Sequence, residues 1–230
     1  MALETQTPRG PIYRIGRQPD PWQPPDWSRA APDGTFGNRF DDPESYYRVL
    51  YASSQELSCF IETLARFRPD LELIAELEAI EGENDFFPLG AVPVSWCANR
   101  VLGSAFADGS YAAICGGEWI TYLRRRLASE CLRQGIPDLD ASVLQSGLSR
   151  RITQLASRVA YDFGYPGVYY RSRYAHDLEN WALFEPFRIR ETTSEPIADD
   201  RPAFREALRI LGLKVARAGH YYPTPFKNYS

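Results

Sequence analysis

Strand-length runs and helix-period runs follow one another in this chain without a regular rotation, and that order constrains the fold more than any single motif does. PIYRI at 11–15 reads as a first strand, with Ile12 and Arg14 on one face and Tyr13 and Ile15 on the other. VLYA at 49–52 reads as a second. Ser53 or Ser54 can cap the helix that follows, where Leu57, Phe60, Ile61 and Leu64 form a core stripe. Leu71, Ile74, Leu77 and Ile80 mark another amphipathic helix, ended near Gly82. Residues 86–106 read as strand and turn pieces broken at Pro88 and Pro93. Trp119, Ile120, Leu123 and Leu127 suggest a helix whose Arg124, Arg125 and Arg126 form a solvated face. The cleanest stripe is Leu148, Ile152, Leu155, Ala156, Val159 and Phe163, stopped by Gly164 and Pro166. GVYYRS at 167–172 and WALF at 181–184 are strand-like, with a His176-Asp177 loop between them. A last helix opens around 199–202, with proline at an early position, and runs through Leu211. Strict strand–helix–strand alternation would predict a doubly wound parallel sheet. This order predicts an α+β fold, with one mixed central sheet flanked by helices.

A chain of 230 residues with 44% hydrophobic and 24% charged residues is expected to build a single domain with a sizeable core. Residues 1–10 are polar and read as a disordered N-terminus. The domain then spans 11–230, with a C-terminal helix and aromatic tail over 199–230. Residues 18–34 hold five prolines and two tryptophans without periodicity, an irregular loop of lid length. The net charge of −4 disfavours a nucleic-acid coat, which needs a basic balance, but leaves room for a local anion site. Cys59, Cys97, Cys115 and Cys131 lack CxxC spacing and only His176 and His220 are present, so no metal site is expected. Cys59 and Cys131 fall in helical stretches, Cys97 and Cys115 in strand-like or turn stretches. No apolar run has signal-peptide or membrane-spanning character, which places the expectation in the cytoplasm, away from any membrane. There is no GxGxxG and no GxxxxGK[ST], so neither a Rossmann dinucleotide site nor a phosphate-cradling P-loop is indicated.

Residues 36–62 carry the chemistry. Gly37 permits close backbone approach beside Arg39; Tyr51 lies in a short strand; Glu62 stands on the next helix, flanked by the small residues Ser58 and Ala65. A guanidinium, an aromatic ring and a carboxylate together can hold a phosphorylated N-glycoside. Each has an ordinary alternative: Arg39 could pair with Asp41 or Asp42, Glu62 with Arg66 one turn on, and Tyr51 could be a plain strand aromatic.

The order of short motifs narrows the choice. YR at 13–14, FGNRF at 36–40, LYAS at 50–53, FIE at 60–62, YYRS at 169–172 and NWALF at 180–184 together resemble the RES-domain family, named for its arginine, glutamate and serine. The likeness runs over 11–190 and is most specific at 36–62. It implies an ADP-ribosyltransferase-like fold. It also implies a bacterial toxin of a toxin–antitoxin pair that consumes NAD by hydrolysis, phosphorolysis or ADP-ribosyl transfer, neutralised by an Xre-type helix-turn-helix antitoxin. Carried over, Arg14 and Arg39 would bind the NAD pyrophosphate and Tyr51 would line the nicotinamide pocket. Glu62 would stabilise the oxocarbenium-like charge as nicotinamide leaves, and Ser172 would contact ribose or phosphate. The chain departs from the family pattern at Phe40, where tryptophan is common, at Asp41-Asp42, where asparagine is usual, and at Ile15. These positions bear on binding pose more than on reaction class. A degenerate nucleotide- or partner-binding module, and a carboxylate hydrolase of another N-glycoside, stand as alternative readings.

Overall fold

The computed structural model describes residues 3–72, 74, 90–147 and 149–216. Its strands are β1 (Thr5–Gln6), β2 (Ile12–Arg17), β3 (Val49–Ser53), β4 (Gly90–Pro93), β5 (Arg100–Ala107), β6 (Tyr111–Ala113), β7 (Gly167–Arg171), β8 (Glu179–Phe184), β9 (Ile189–Arg190), β10 (Glu195–Pro196) and β11 (Leu213–Ala216). Its helices are α1 (Glu56–Leu64), α2 (Val94–Ala98), α3 (Gly117–Arg126), α4 (Ala128–Arg133), α5 (Ala141–Ser146), α6 (Arg150–Asp162) and α7 (Pro202–Leu211). The main sheet runs β1-β6-β7-β8-β3-β2-β5-β10, with β9 also on β5, and β4 and β11 form a separate parallel pair. Within the main sheet β6 and β7 are parallel and every other pair is antiparallel. This is the mixed α+β architecture that the irregular order of elements predicts.

Both faces of the sheet are covered. On one, Ile12, Leu50, Ala52, Ala105, Trp181 and Leu183 pack with Trp22 from the proline-rich loop. The other face carries two apolar clusters. In one, Val49, Val168, Tyr170, Ala182 and Phe184 meet Trp119 and Leu123 of α3 and Ile152, Ala156 and Ala160 of α6. In the second, Ile15 and Leu102 meet Phe60, Ile61 and Leu64 of α1 and Phe204, Ala207 and Leu211 of α7. The α1 stripe is therefore as its periodicity predicts, with Leu57 at its margin.

Several local expectations are corrected. Within the polar N-terminal segment Thr5–Gln6 pairs with β6, and the Trp119 indole donates to the Glu4 carbonyl at 2.8 Å, so residues 4–6 have backbone partners. Residues 94–98 form a short helix, with Pro93 in extended geometry as its N-cap, and Cys97 lies in it. Neither Ser53 nor Ser54 caps α1. Gln55 is the N-cap, without a side-chain bond, because Ser53 Oγ donates to Asn180 and Ser54 Oγ accepts from the Trp181 indole. The α6 stripe is rotated: Thr153, Gln154 and Ser157 are buried with Ile152, Ala156 and Ala160, while Phe163 is half exposed. Pro202 takes the early helical position as expected, and Arg124–126 are exposed. The helix expected over 71–80 lies for the most part outside the described residues, as does the aromatic tail beyond 216.

Candidate functional site

The two apolar clusters on the α1 face of the sheet are separated by a polar seam, and the seam follows from the period-2 geometry of three strands. On β3 the inward residues run Val49, Tyr51, Ser53; on β8, Phe184, Ala182, Asn180; along β7 and its extension, Val168, Tyr170, Ser172. Register places Ser53 opposite Asn180, and Asn180 opposite Tyr170. Ser53 and Asn180 thus share one level with Tyr170, and Ser172 follows two positions beyond it.

A buried polar residue needs a partner, and here the partners converge on one carboxylate. Ser172 Oγ donates to Glu62 Oε1 at 2.7 Å, and Asn180 Nδ2 donates to the same oxygen at 3.0 Å. Asn180 Oδ1 accepts from Ser53 Oγ at 2.5 Å and from Ser58 Oγ at 2.8 Å. Ser172 Oγ also accepts from the Tyr174 amide at 3.1 Å. Ser53, Ser58, Ser172 and Asn180 are all buried, while Glu62 is half-buried. Among the described residues no cation pairs with Glu62. Arg66 lies over the Phe67 ring instead, so the surface pairing at one helical turn is not what this residue does. The small neighbour Ser58 is a hydrogen-bond donor inside the seam and not a mere depression beside the carboxylate.

Arg39 packs on Tyr170. Its guanidinium lies 4.8 Å from the Tyr170 ring centroid and 5.1 Å from that of Phe40, cation–π distances. Nη2 donates to the Leu144 carbonyl at 2.5 Å near the end of α5, and the buried Nε has no partner. Burial pushes the Tyr170 hydroxyl well up, the Glu62 charge adds to that, and Arg39 opposes it, so one ring feels both ionised groups. A cavity of roughly 230 Å³ lined by Cys115, Gln145, Tyr169, Tyr170 and Arg171 lies against this ring.

The loop bearing Arg39 is clamped by the polar face of α6. Gln154 Nε2 donates to the Asn38 carbonyl at 3.2 Å, Ser157 Oγ to the Phe40 carbonyl at 2.7 Å, and Arg150 to the Gly37 carbonyl. Asp41 and Asp42 do not pair with Arg39. Asp41 accepts from the Phe36 and Asn38 amides, from Asn38 Nδ2 and from Tyr51 Oη, closing the loop on itself. Asp42 pairs with Arg158 at 3.4 Å. Ser157→Ala is expected to leave the Phe40 carbonyl and the Tyr47 hydroxyl, its 3.0 Å partner, buried without their bonds. Stability should fall by about 1–3 kcal/mol, read as a lower urea midpoint at unchanged m.

Tyr51 and Arg14 are joined through backbone. β2 and β3 pair only at Tyr13 and Ser53, and Arg14 fills the gap beyond: Nη1 donates to the Tyr51 carbonyl and Nε to the Pro21 carbonyl, each at 2.7 Å. Burial pulls the Arg14 pKa down to about 10, opposed by Cys59, Tyr51 and Asp20, so it stays a cation at neutral pH. Tyr51 Oη accepts from the Phe40 amide at 2.9 Å and donates to Asp41, so its hydroxyl is committed and only its ring is available.

The structure thus joins Glu62 and Ser172 directly, and stacks Arg39 on Tyr170, the β7 residue opposite Asn180. It attaches Arg14 to Tyr51 in the β2–β3 gap. Sequence reasoning missed Tyr170, Asn180, Ser53 and Ser58 as members; the available signal was an asparagine directly before the apolar run Trp181–Phe184. Among the described residues no group of three or more His, Cys, Asp or Glu side chains is placed to hold a metal ion. No described helix is long and apolar enough to cross a membrane.

A family model described as the RES domain matches residues 11–204. No curated protein matches the chain. Among solved structures, the M. tuberculosis MbcT–MbcA toxin–antitoxin complex is similar at 13% identity and TM-score 0.46, the match covering 84% of this chain and 86% of that chain.

Proposed function

The chain belongs to the RES-domain family, and on that premise we propose that it consumes NAD by cleaving the nicotinamide–ribose bond. The observation that carries the reading is the seam: a half-buried carboxylate held by two neutral donors and, among the described residues, by no cation, with one donor, Asn180, paired across the sheet with the Tyr170 on which Arg39 stacks. A carboxylate whose charge is not already balanced is suited to a cation that develops during reaction. Glu62 stabilises the oxocarbenium-like ribose as nicotinamide departs, an interaction stronger in the transition state than in the ground state. Arg39 binds the pyrophosphate; its buried Nε lacks a partner, which an anionic oxygen would supply. Arg14, proposed as the second pyrophosphate contact, keeps three N–H groups beyond the two committed to carbonyls. Ser172 spends its proton on Glu62 and one lone pair on the Tyr174 amide, so it contacts ribose as an acceptor. Tyr51 supplies a ring wall to the nicotinamide pocket.

In this reading the protein is a toxin when expressed without a partner, and an Xre-type helix-turn-helix antitoxin neutralises it by covering the site. Expression in bacteria is expected to arrest growth and deplete NAD; unchanged NAD in cells that accumulate folded protein would count against the proposal. Purified protein incubated with NAD, with and without phosphate, is expected to release nicotinamide on NMR. The ribosyl product identifies the acceptor as water, phosphate or a protein side chain. Binding of NAD without release would mark the chain as a nucleotide-binding module instead, and cleavage of free nucleosides in preference to NAD would mark a different N-glycoside hydrolase.

A further inference from the structure

We propose that Asn180 is a positioning residue that holds the Glu62 carboxylate in place, with its own orientation set by Ser53 and Ser58; the inference deepens the NAD-cleaving reading and rests on it for the kinetic readout. The argument is one of hydrogen-bond count. Asn180 is 1% exposed and lies at the centre of the seam. Two hydroxyls, from β3 and from α1, occupy its carbonyl oxygen at 2.5 and 2.8 Å. That assigns the amide nitrogen to the opposite side, where Glu62 Oε1 lies at 3.0 Å. A flipped amide would turn its oxygen on a carboxylate oxygen and its nitrogen on both hydroxyls, losing the bond to Glu62. The strand that carries Asn180 pairs on both sides, with Ser53 and with Tyr170, so its backbone cannot move independently of the sheet. The position of a carboxylate on the less constrained helix face is thus referred to the middle of a sheet.

Other groups near Glu62 do not do this. Ser172 shares Oε1 but lies beyond the end of β7. Tyr170 and Cys59 make no hydrogen bond to Glu62, and the Cys59 thiol donates to the Tyr13 carbonyl.

Asn180→Asp provides the test. The introduced carboxylate replaces a donor with a second negative charge about 3 Å from Glu62, and two carboxylates so close share a proton. Two readouts follow on the folded full chain. Carbon-13 titration of the Glu62 side chain should move upward by about one pH unit or more relative to the parent. kcat for NAD should fall about tenfold or more at pH 8 and recover towards the parent at lower pH, where the shared proton restores a donor, with KM little changed. A titration and a pH profile that both superimpose on the parent would overturn the proposal. Should that variant not fold, Ser58→Ala removes one of the two hydroxyls that orient the amide. It is expected to lower kcat about threefold or more at constant KM, and parental kcat would overturn the proposal equally. The titration needs no turnover, so a parent that releases no nicotinamide would end the NAD reading while the role of Asn180 is still decided.

Discussion

Glu62→Gln is expected to lower the rate of NAD cleavage by about 10²–10³ while largely sparing NAD binding, a loss of about 3–4 kcal/mol of transition-state stabilisation. Gln keeps the size of Glu and one oxygen that can accept from Ser172 and Asn180, which both now donate to Oε1. The seam therefore retains its hydrogen bonds if the amide oxygen takes that place, and the variant should fold with near-parental stability. What disappears is the negative charge. Because no cation balances Glu62 among the described residues, that charge is free to act on a developing positive centre, and its removal should appear in kcat. The competing account, a helix-surface carboxylate, forecasts a few tenths of a kcal/mol in stability and no kinetic change. Steady-state nicotinamide release by the folded variant decides between them. Activity within about threefold of the parent would remove Glu62 from the mechanism.

Arg39→Ala is expected to act in the opposite sense, raising KM by about 10–10² with a smaller effect on kcat, as charge-assisted contacts of about 1.5–3 kcal/mol are lost from bound and transition states alike. The residue is also part of the packing. Its guanidinium lies against Phe40 and Tyr170, its side chain abuts Gly147, and it satisfies the Leu144 carbonyl. Arg39→Lys separates the two contributions. Lysine keeps the charge but not the planar fork or its aromatic stacking, so KM should recover only in part. NAD affinity by calorimetry and thermal unfolding of both variants provide the check. An Arg39→Ala variant that binds NAD as the parent does would exclude this arginine from the pyrophosphate site.

The likeness to the RES family was legible because its motifs are local. FGNRF, LYAS and FIE lie within 27 consecutive residues, and a short strand followed by a helix brings their ends together whatever the rest of the chain does. The roles within the motifs were less legible. Asp41 and Asp42 looked like surface partners for Arg39, yet both are buried, one organising the loop's own amides and the other paired with Arg158 on a helix more than a hundred positions away.

By itself the sequence determined the longer elements and the class of fold. Phe60, Ile61 and Leu64 recur at helical spacing and are buried against one face, Gly164 and Pro166 end α6, and the irregular order of runs gives a mixed sheet. These are properties of neighbours in the chain, where periodicity and backbone freedom carry the information. Tertiary structure alone decided which polar residues are inside. Hydrophobic spacing placed Val159 and Phe163 on the inner face of α6, but Gln154 and Ser157 are buried there because the Asn38 and Phe40 carbonyls accept from them. Ser53, Ser58, Ser172 and Asn180 are likewise unremarkable one at a time. They become a seam through the register of β3, β7 and β8 and the docking of α1. A polar side chain can be buried only where a partner waits, and the partners here come from segments more than a hundred residues apart.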